Sequence, residues 1–318
     1  MPGPAEIRSS HLTVCTLWEG DYHKGLASLV NSLVRAGFSG KVWAGYRGSL
    51  PQWASGGTAS NGQYAFDVTP DVQIVFVALE GSQHFAHYKP SWCLRVLDEL
   101  DPTAGGVYYF DPDIVVLAEW PFFEQWVQAG VAVCEDSHYP LNPSHPRSLQ
   151  WQSFAQSAGF KLRRPADANL NSGLVGVSRE QASFLEDWEQ LLATVVREFK
   201  TEGKLKIGSR SYIFHIPDQD TFTIATWVTS QPVSLMGVDA MSFGCGEWLT
   251  LHATEGKKPW RRRSFMDWLS QGIAPDRALR RYWEFAAGPI WAESKDRIRS
   301  QSKLIPIVAG LSRFYRRG

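Results

Sequence analysis

The sequence has little cysteine and no long apolar run. Its four cysteines contain no C-x-x-C pair and no spacing typical of a disulfide framework, which predicts reduced thiols in a cytoplasmic protein. The first residues lack the basic-then-apolar pattern of a secretory signal, and no stretch reaches the length of a transmembrane helix. These absences argue against a secreted or membrane-spanning protein.

The sequence also has no net charge, because 32 basic residues balance 32 acidic ones. This balance gives no indication for or against nucleic acid, and we predict no nucleic-acid partner. Basic residues are nevertheless concentrated in two places, the loop 257–263 and the tail 295–318. The remaining composition, 44% hydrophobic and 20% charged, is ordinary for a soluble globular enzyme.

Apolar patterns in the first half alternate between strand and helix periods. The Gly/Ser/Asn-rich stretch 55–63 is predicted to be a loop, and helices are predicted around Leu26–Val34 and over Trp92–Leu100. The predicted strands are His11–Leu17, Lys41–Tyr46, Val72–Leu79 and Val131–Cys134. This alternation predicts an α/β fold in which helices flank a mostly parallel sheet.

The second half is less regular. A strand over Leu170–Val177 is interrupted by Gly173 and Gly176, and two helices follow at Gln181–Phe199 and Asp220–Val228. Two short strands, the basic loop and a Trp- and Arg-rich helical end complete the chain. We predict a catalytic domain over 1–263, with parts at about 1–135 and 136–263, and a helical basic appendage over 264–318.

Two carboxylates, Asp111 and Asp113, lie one residue apart where an apolar run ends and another begins. Such a pair places oxygen ligands at the carboxyl edge of a sheet, where open α/β folds bind ligands. Asp-Pro-Asp is also an ordinary turn, in which Asp caps the backbone and Pro fixes φ. The motif therefore predicts either a metal and phosphate site or a simple turn.

Four motifs follow one another along the chain. They are Phe110-Asp111-Pro112-Asp113, Asn171-Ser172-Gly173, Asp218-Gln219-Asp220, and His252 followed by Gly256 and Lys258-Pro259-Trp260. Their order resembles that in the metal-dependent, retaining GT-A glycosyltransferases of family 8, the glycogenin and lipopolysaccharide galactosyltransferase group. The resemblance covers about Leu12 to Trp260. The resemblance implies a GT-A, Rossmann-like arrangement of the predicted α/β fold.

The resemblance also implies a metal site. Asp111, Asp113 and His252 would hold Mn²⁺ or Mg²⁺, and an imidazole ligand suits Mn²⁺ better. The loop that contains Gly256 and Lys258 would close over the diphosphate. As alternatives, His252 alone is consistent with a structural histidine at a strand end, and the lysines with a solvated basic surface.

The resemblance assigns further roles residue by residue. The catalytic candidates are Asn171, Asp218, Gln219 and Lys258. The candidates for binding the nucleotide-sugar are Thr16, Tyr22, Arg95, Asp111, Gly173 and Gly256. Lys89 competes with Arg95 for one of these roles. Glu135, Asp136 and His138 are consistent with either an acceptor pocket or a solvated loop.

The function that follows is transfer of a sugar from a nucleoside-diphosphate sugar, with uridine as the implied nucleoside, to a glycan or glycolipid. The resemblance implies retention of anomeric configuration and a role in polysaccharide synthesis. An inverting GT-A enzyme or a nucleotidyltransferase is the enzymatic alternative, with Asp218 or Asp220 as general base. A non-catalytic sugar- or membrane-binding protein on the same fold is the alternative from another class.

The tail 295–318 interleaves apolar and basic residues, a mix typical of a segment at an anionic membrane surface. We therefore predict peripheral contact with the inner face of the membrane. Pro306 and Gly310 are expected to interrupt a continuous helix there. The alternative is a tail that packs its apolar residues on the catalytic domain.

Overall fold

The computed structural model describes residues 11–137, 142–165, 167–201, 203–207 and 213–312. The strands are β1 (Leu12–Glu19), β2 (Gly40–Arg47), β3 (Thr58–Ser60), β4 (Gln63–Thr69), β5 (Val72–Ala78), β6 (Gly106–Phe110), β7 (Ile114–Val116), β8 (Val131–Glu135), β9 (Leu170–Ser178), β10 (Val233–Met236) and β11 (Thr250–His252). The helices are α1 (His23–Arg35), α2 (Lys89–Arg95), α3 (Trp120–Ala129), α4 (Pro146–Ser157), α5 (Ser183–Phe199), α6 (Pro217–Val228), α7 (Ser264–Gln271), α8 (Arg277–Phe285) and α9 (Lys295–Leu311).

The described residues form two compact units, each discontinuous in sequence. The first unit contains 11–15, 81–109 and 123–235. The second contains 16–80, 110–122 and 236–312. The sequence-based boundary at 263 stays a prediction.

In the first unit the strands lie in the order β10, β8, β9, β6, β1. Strand β1 pairs parallel with β6, and β8 pairs antiparallel with β9. Helices α5 and α6 pack against each other, and α6 also packs on β9. Fully buried aromatic side chains, including Trp188, Phe184 and Phe222, fill the space between these helices. This packing holds the first turn of α6 against β9.

In the second unit β2 pairs parallel with β5, and β4 and β3 extend this sheet antiparallel at one edge. A separate antiparallel pair joins β7 to β11. Helix α1 is amphipathic and packs its apolar face near β7 and α8. The buried residues of that face include Leu26, Leu29, Val30 and Leu33.

The predicted α/β class is confirmed, with parallel central strands, flanking helices and a helical C-terminal end. The loop prediction for 55–63 is wrong, because β3 and β4 form a hairpin there. Asn61 and Gly62 connect the two strands with φ of 49° and 75°. An Asn-Gly pair with positive φ at both positions is the preferred two-residue hairpin turn.

Strand β9 is continuous through both glycines, so the predicted interruption is also wrong. A Cβ at Gly176 would lie 2.2 Å from the ring of Tyr108. The absence of a side chain therefore allows a close approach of the ring to the strand rather than breaking the strand.

Helix α9 runs through Pro306 and Gly310 without interruption, contrary to the sequence-based expectation. The helix packs against α7 and α8 and buries Ile298, Ile305 and Val308. This packing offsets the loss of the backbone hydrogen bond that Pro306 cannot donate. Residues 313–318, including Arg313, Phe314, Arg316 and Arg317 of the predicted tail, lie outside the described residues. Among the described helices, none combines the length and apolarity that a membrane span needs.

Candidate functional site

The two acidic residues of the Asp-Pro-Asp motif lie in the second unit, in the turn that follows β6. The turn is closed by a hydrogen bond from Ile114 N–H to Asp111 O of 3.0 Å. Strand β7 then pairs with β11 so that His252 lies opposite Ile114. A further backbone bond, from Ala253 N–H to Asp113 O at 3.0 Å, extends this pairing. The β7–β11 ladder therefore brings His252 next to the acidic turn from more than a hundred residues along the chain.

The side chains of Asp111, Asp113 and His252 converge on one point. His252 Nε2 lies 3.2 Å from Asp113 Oδ1 and 3.8 Å from Asp111 Oδ2. One ligand atom from each of the three residues lies within 4.8 Å of the others. This donor set, two carboxylates and an imidazole, matches the ligands that Mn²⁺ accepts and is compatible with Mg²⁺. The arrangement could hold a divalent metal ion.

Lys258 joins the same cluster from the loop after β11. Its Nζ lies 2.6 Å from Asp113 Oδ2 and donates to Ala253 O at 2.7 Å. Burial by itself raises the pKa of Asp113, but the neighbouring His252 and Lys258 outweigh burial and hold that pKa well below its usual range. Burial lowers the pKa of Lys258, and Asp113 more than offsets this, so its pKa is raised. Both groups are therefore charged at neutral pH. We call Asp111, Asp113, His252 and Lys258 the carboxylate–histidine cluster.

An aromatic wall adjoins this cluster. The ring of Tyr22 packs edge-on against Trp260, with centroids 5.3 Å apart. Lys258 Nζ and the Arg261 guanidinium lie 5.9 and 5.5 Å from the centroid of the Tyr22 ring. Arg261 also binds both oxygens of Asp21, with Nε 2.8 Å from Oδ2. The basic loop is thus tied to the turn that follows β1.

Gly25 on α1 is the glycine whose missing side chain matters most here. A Cβ at this position would lie 2.3 Å from Pro112 O and 2.9 Å from the ring of Trp260. The helix can approach the acidic turn and the aromatic wall only because residue 25 has no side chain. The sequence showed only a glycine inside a helical pattern, which does not by itself identify this contact.

Two other predicted residues of the second unit have different surroundings. Thr16 lies in β1 and is fully buried, and its Oγ1 has no hydrogen-bond partner among the described residues. Gly256 lies in the loop before Lys258, and a Cβ there would meet nothing within 4 Å. The structure thus brings Tyr22 to the cluster, places Thr16 within the sheet and gives Gly256 no steric need to be glycine.

The other predicted residues lie in the first unit, where they form a buried polar cluster with residues that the motif did not include. Asn171 Nδ2 donates to Asp136 Oδ2 at 2.7 Å and to Gln219 Oε1 at 3.4 Å. Ser172 Oγ donates to Asp218 Oδ2 at 2.7 Å. Gly173 N–H donates to Asn171 Oδ1 at 2.9 Å. Strand β9, the residue after β8 and the first turn of α6 supply these groups.

Lys89, at the start of α2, completes this polar cluster. Its Nζ lies 3.2 Å from Asp218 Oδ2, donates to Ser172 O at 3.2 Å and lies 5.4 Å from the centroid of the Tyr109 ring. Arg95, on the same helix, is half-buried and contacts Glu99 and the Trp92 ring. Of the two competing candidates, the geometry places Lys89 with Asn171 and Asp218. We call Lys89, Asp136, Asn171, Ser172, Asp218 and Gln219 the polar cluster.

Asp220, the second candidate base of the inverting alternative, caps backbone N–H groups just before α6. Its Oδ2 accepts hydrogen bonds from His215 N–H at 2.6 Å and Ile216 N–H at 3.0 Å. Burial raises the pKa of Asp220 to about 7. It thus satisfies backbone donors at the start of α6.

Asp136 and Ser172 are the members of the polar cluster to which sequence reasoning assigned no definite role. Asp136 was consistent with either an acceptor pocket or a solvated loop, and it is buried. Glu135 ends β8 and is half-buried, and His138 lies outside the described residues. Ser172 was visible only as the middle residue of Asn-Ser-Gly, which is also a common turn.

No protein-family model matches the sequence, and neither does any curated protein. Among solved structures, the bifunctional glycosyltransferase WbbM resembles the chain with 13% identity and a TM-score of 0.49, over 94% of this chain and 53% of that one. The glycosyltransferase GlyE of Streptococcus pneumoniae TIGR4 has 14% identity and a TM-score of 0.49, over 93% of this chain and 64% of its own. The chain thus spans less than two thirds of these two proteins.

An active-site mutant of LgtC has 11% identity and a TM-score of 0.49, over 89% of this chain and 98% of that one. In overall structure the chain is similar to these glycosyltransferases.

Proposed function

We propose that this protein is a metal-dependent glycosyltransferase. It would move a sugar from a nucleoside-diphosphate sugar, with uridine as the nucleoside, to a glycan or glycolipid acceptor, with retention of anomeric configuration. The single observation that carries the proposal is the convergence of Asp111, Asp113 and His252 within 4.8 Å, with the Lys258 ammonium beside them. A divalent cation and a fixed ammonium group would together neutralise the negative charge of a diphosphate.

The residues present fit the implied metal. Asp111, Asp113 and His252 would hold Mn²⁺ or Mg²⁺, and the ion would stabilise negative charge on the departing nucleoside diphosphate. Lys258 would add a second positive charge at the phosphates. In the described structure Lys258 pairs with Asp113, so the ammonium neutralises one carboxylate of the cluster.

The nucleoside would contact Tyr22. This ring is fixed edge-on by Trp260 and has two cationic side chains near it, which supports a role in holding an aromatic base by stacking. Roles of Thr16, Arg95 and Gly256 in nucleotide binding are part of the same proposal. These three assignments are based on the positions of the residues relative to the sequence motifs.

The polar cluster would contact the donor sugar through Asn171, Asp218 and Gln219, with Gly173 fixing the backbone. Hydrogen bonds between sugar hydroxyls and buried amide or carboxylate groups discriminate among sugars well, because an unpaired buried polar group costs free energy. The hydrogen bonds that already join these side chains support this role, since a preformed site loses less entropy on binding.

The partners of the two candidate bases, Asp218 and Asp220, favour retention over inversion. Asp220 accepts two backbone hydrogen bonds and Asp218 pairs with Lys89. An inverting transferase needs a carboxylate that can take a proton from the acceptor. Analysis of the anomer in the product would decide between the two outcomes.

The proposal is tested by nucleoside diphosphate binding. Because a ligand that binds only the folded state raises the melting temperature, UDP with Mn²⁺ should raise it, and UDP with a chelator should not. Release of free sugar from a UDP-sugar in the presence of Mn²⁺ would then distinguish an enzyme from a non-catalytic binding protein. Equal stabilisation with and without metal would contradict the proposal.

A further inference from the structure

Trp260 is held both at its ring and at its backbone by helices of the second unit. The residue lies in a single helical turn, Pro259–Arg261, and its side chain is buried. The centroid of its ring lies 5.5 Å from that of Tyr282 on α8 and 5.3 Å from that of Tyr22. Its carbonyl oxygen accepts a hydrogen bond of 2.7 Å from Arg297 Nη2 on α9. Helix α9 therefore contacts the basic loop directly.

Arg297 forms a second contact, which reaches the other side of the aromatic wall. Its Nη1 donates to Glu293 Oε1 at 2.7 Å, and the same oxygen accepts a hydrogen bond of 2.8 Å from Lys24 Nζ on α1. Lys24 follows Tyr22 by two residues. One carboxylate oxygen thus links the helix that begins after Tyr22 to the guanidinium group that holds Trp260.

The surroundings of Arg297 fix the geometry of these contacts. The side chain of Glu293 keeps only 8% of its surface exposed. The Arg297 guanidinium also lies 5.4 Å from the ring centroid of Trp283, which is buried. Arginine presents its donors in a planar fork, so one guanidinium can bind a carboxylate and a carbonyl oxygen at the same time. The carbonyl of Trp260 is therefore held by a side chain that is itself held in place.

We propose that Arg297 is a positioning residue of the nucleotide site, an inference that rests on the proposed function. Arg297 holds the basic loop so that the Lys258 ammonium lies at the phosphates and Trp260 supports the Tyr22 ring. It acts through the loop and does not touch the ligand. The helical end that the sequence predicted as a separate appendage is thus part of the site.

The alternative is an ion pair between Arg297 and Glu293 that stabilises only the beginning of α9. Such a pair needs no bond outside this segment. Arg297, however, reaches the carbonyl oxygen of Trp260, which lies 37 residues away in the sequence, and Glu293 reaches Lys24. These two bonds favour a role in holding the loop.

The first test compares Arg297→Met with Arg281→Met. Arg281 on α8 is the matched control, because its side chain is 35% exposed, against 34% for Arg297, and also forms two ion pairs, with Glu247 and Glu284. In the presence of Mn²⁺, Arg297→Met should lower UDP affinity about tenfold, the effect expected when Lys258 is displaced. Arg281→Met should leave UDP affinity unchanged. Affinity for Mn²⁺ alone should be the same in both variants, and their melting temperatures show that they are folded.

Two further variants show how Arg297 acts. Arg297→Lys keeps a positive charge beside Glu293 but lacks the planar fork, so it should not restore UDP affinity. In a chain that carries Lys258→Met, Arg297→Met should lower UDP affinity by about twofold or less, because two residues that act through one contact are not additive.

Hydrogen exchange of the backbone amides in 254–263 measures the order of the loop without a ligand. Exchange should be several times faster in Arg297→Met than in the natural chain, and unchanged in Arg281→Met. If the natural chain fails to bind UDP, the proposed function is wrong, and hydrogen exchange alone then decides whether Arg297 holds the loop.

The proposal is overturned if hydrogen exchange in 254–263 is the same in Arg297→Met and in the natural chain. It is also overturned if Arg281→Met lowers UDP affinity as much as Arg297→Met, or if Arg297→Lys restores that affinity. Additive effects of Arg297→Met and Lys258→Met would overturn it as well, because Arg297 would then act independently of the loop.

Discussion

The carboxylate–histidine cluster of the second unit and the polar cluster of the first unit differ in how their charges are held. In the carboxylate–histidine cluster, the side chains of Asp111 and Lys258 keep 21% and 12% of their surface exposed, and those of His252 and Asp113 keep 8% and 7%. In the polar cluster, Lys89 and Asp218 keep 6% and 2%. The carboxylate–histidine cluster is made of a turn, a strand end and a loop. The polar cluster is made of residues on or next to packed helices and strands. One cluster is suited to receive a charged ligand and the other to keep a fixed geometry.

This difference has an energetic consequence. Removing one member of a buried ion pair leaves an uncompensated charge, which destabilises the fold. In the carboxylate–histidine cluster two of the four members, Asp111 and Lys258, are partly exposed and several charges lie together, so the larger loss on substitution should be in ligand binding. Substitutions in the two clusters should therefore affect different measurements.

The largest effect is expected for Lys89→Met, which leaves Asp218 buried without its ammonium partner. Loss of one partner of a buried pair costs about 3–5 kcal/mol in the free energy of unfolding. Urea denaturation provides the measurement. Arg95→Met, on the same helix, is the control, because its pair with Glu99 is half-exposed and such pairs contribute about 0.5 kcal/mol or less. Equal losses in the two variants would mean that the polar cluster is not a stabilising network.

A pH effect of the next size is expected from Asp220. Its pKa is raised to about 7 in the folded protein, whereas the ordinary value is 3.8. Between these values the folded state holds a proton that the unfolded state has lost, so stability falls as pH rises through this window. At about 1.4 kcal/mol per pKa unit, the effect reaches a few kcal/mol.

The variant Asp220→Asn keeps an oxygen for the His215 and Ile216 amides and removes the titration. Its free energy of unfolding relative to the natural chain should rise steadily from acidic to neutral pH. Parallel pH profiles for the natural chain and Asp220→Asn would contradict the assignment.

Gly25→Ala should disturb the carboxylate–histidine cluster without touching a charge. The new Cβ would lie 2.3 Å from Pro112 O, so the acidic turn or α1 must move. Overpacking of this kind costs about 1–3 kcal/mol, and Mn²⁺-dependent UDP affinity should fall severalfold. Gly256→Ala is the matched control for stability, because its Cβ would meet nothing. An unchanged UDP affinity in Gly25→Ala would show that the turn tolerates displacement.

Lys258→Met is expected to affect ligand binding and turnover but not binding of the metal ion. UDP affinity and turnover should fall by an order of magnitude or more when one charge-stabilising donor is lost. Binding of Mn²⁺ alone should not weaken, because Asp113 Oδ2 loses a competing cation. Lys257→Met is the control, since Lys257 pairs with Asp267 instead. Equal effects of both lysines would indicate a diffuse basic surface.

The sequence predicted the α/β class and most central strands, because long apolar runs and helical spacing report burial directly. It missed the β3–β4 hairpin, whose strands are half-buried or exposed and have little apolar contrast. The Asn61-Gly62 turn was the available signal. It also predicted a break at Pro306, where tertiary packing overrides local preference.

For the site, the sequence predicted Asp111, Asp113, His252 and Lys258 as one group, and the structure brings their side chains together. It could not choose between Lys89 and Arg95, since the choice depends on which side chain of α2 reaches Ser172 and Asp218. Nor could it identify Gly25, whose importance comes from a contact with the distant Trp260 and with Pro112. Contacts between separate segments are set by packing, which a single sequence pattern does not display.

The most direct test of the metal site is the affinity for UDP, measured by calorimetry with Mn²⁺ and with a chelator, in the natural chain and in Asp113→Asn and His252→Ala. We expect the natural chain to bind UDP at least tenfold more tightly with Mn²⁺, an order of magnitude that corresponds to about 1.4 kcal/mol. Both variants should remain folded and lose this difference. A metal dependence that survives in both variants would contradict the assignment of Asp111, Asp113 and His252 as the metal site.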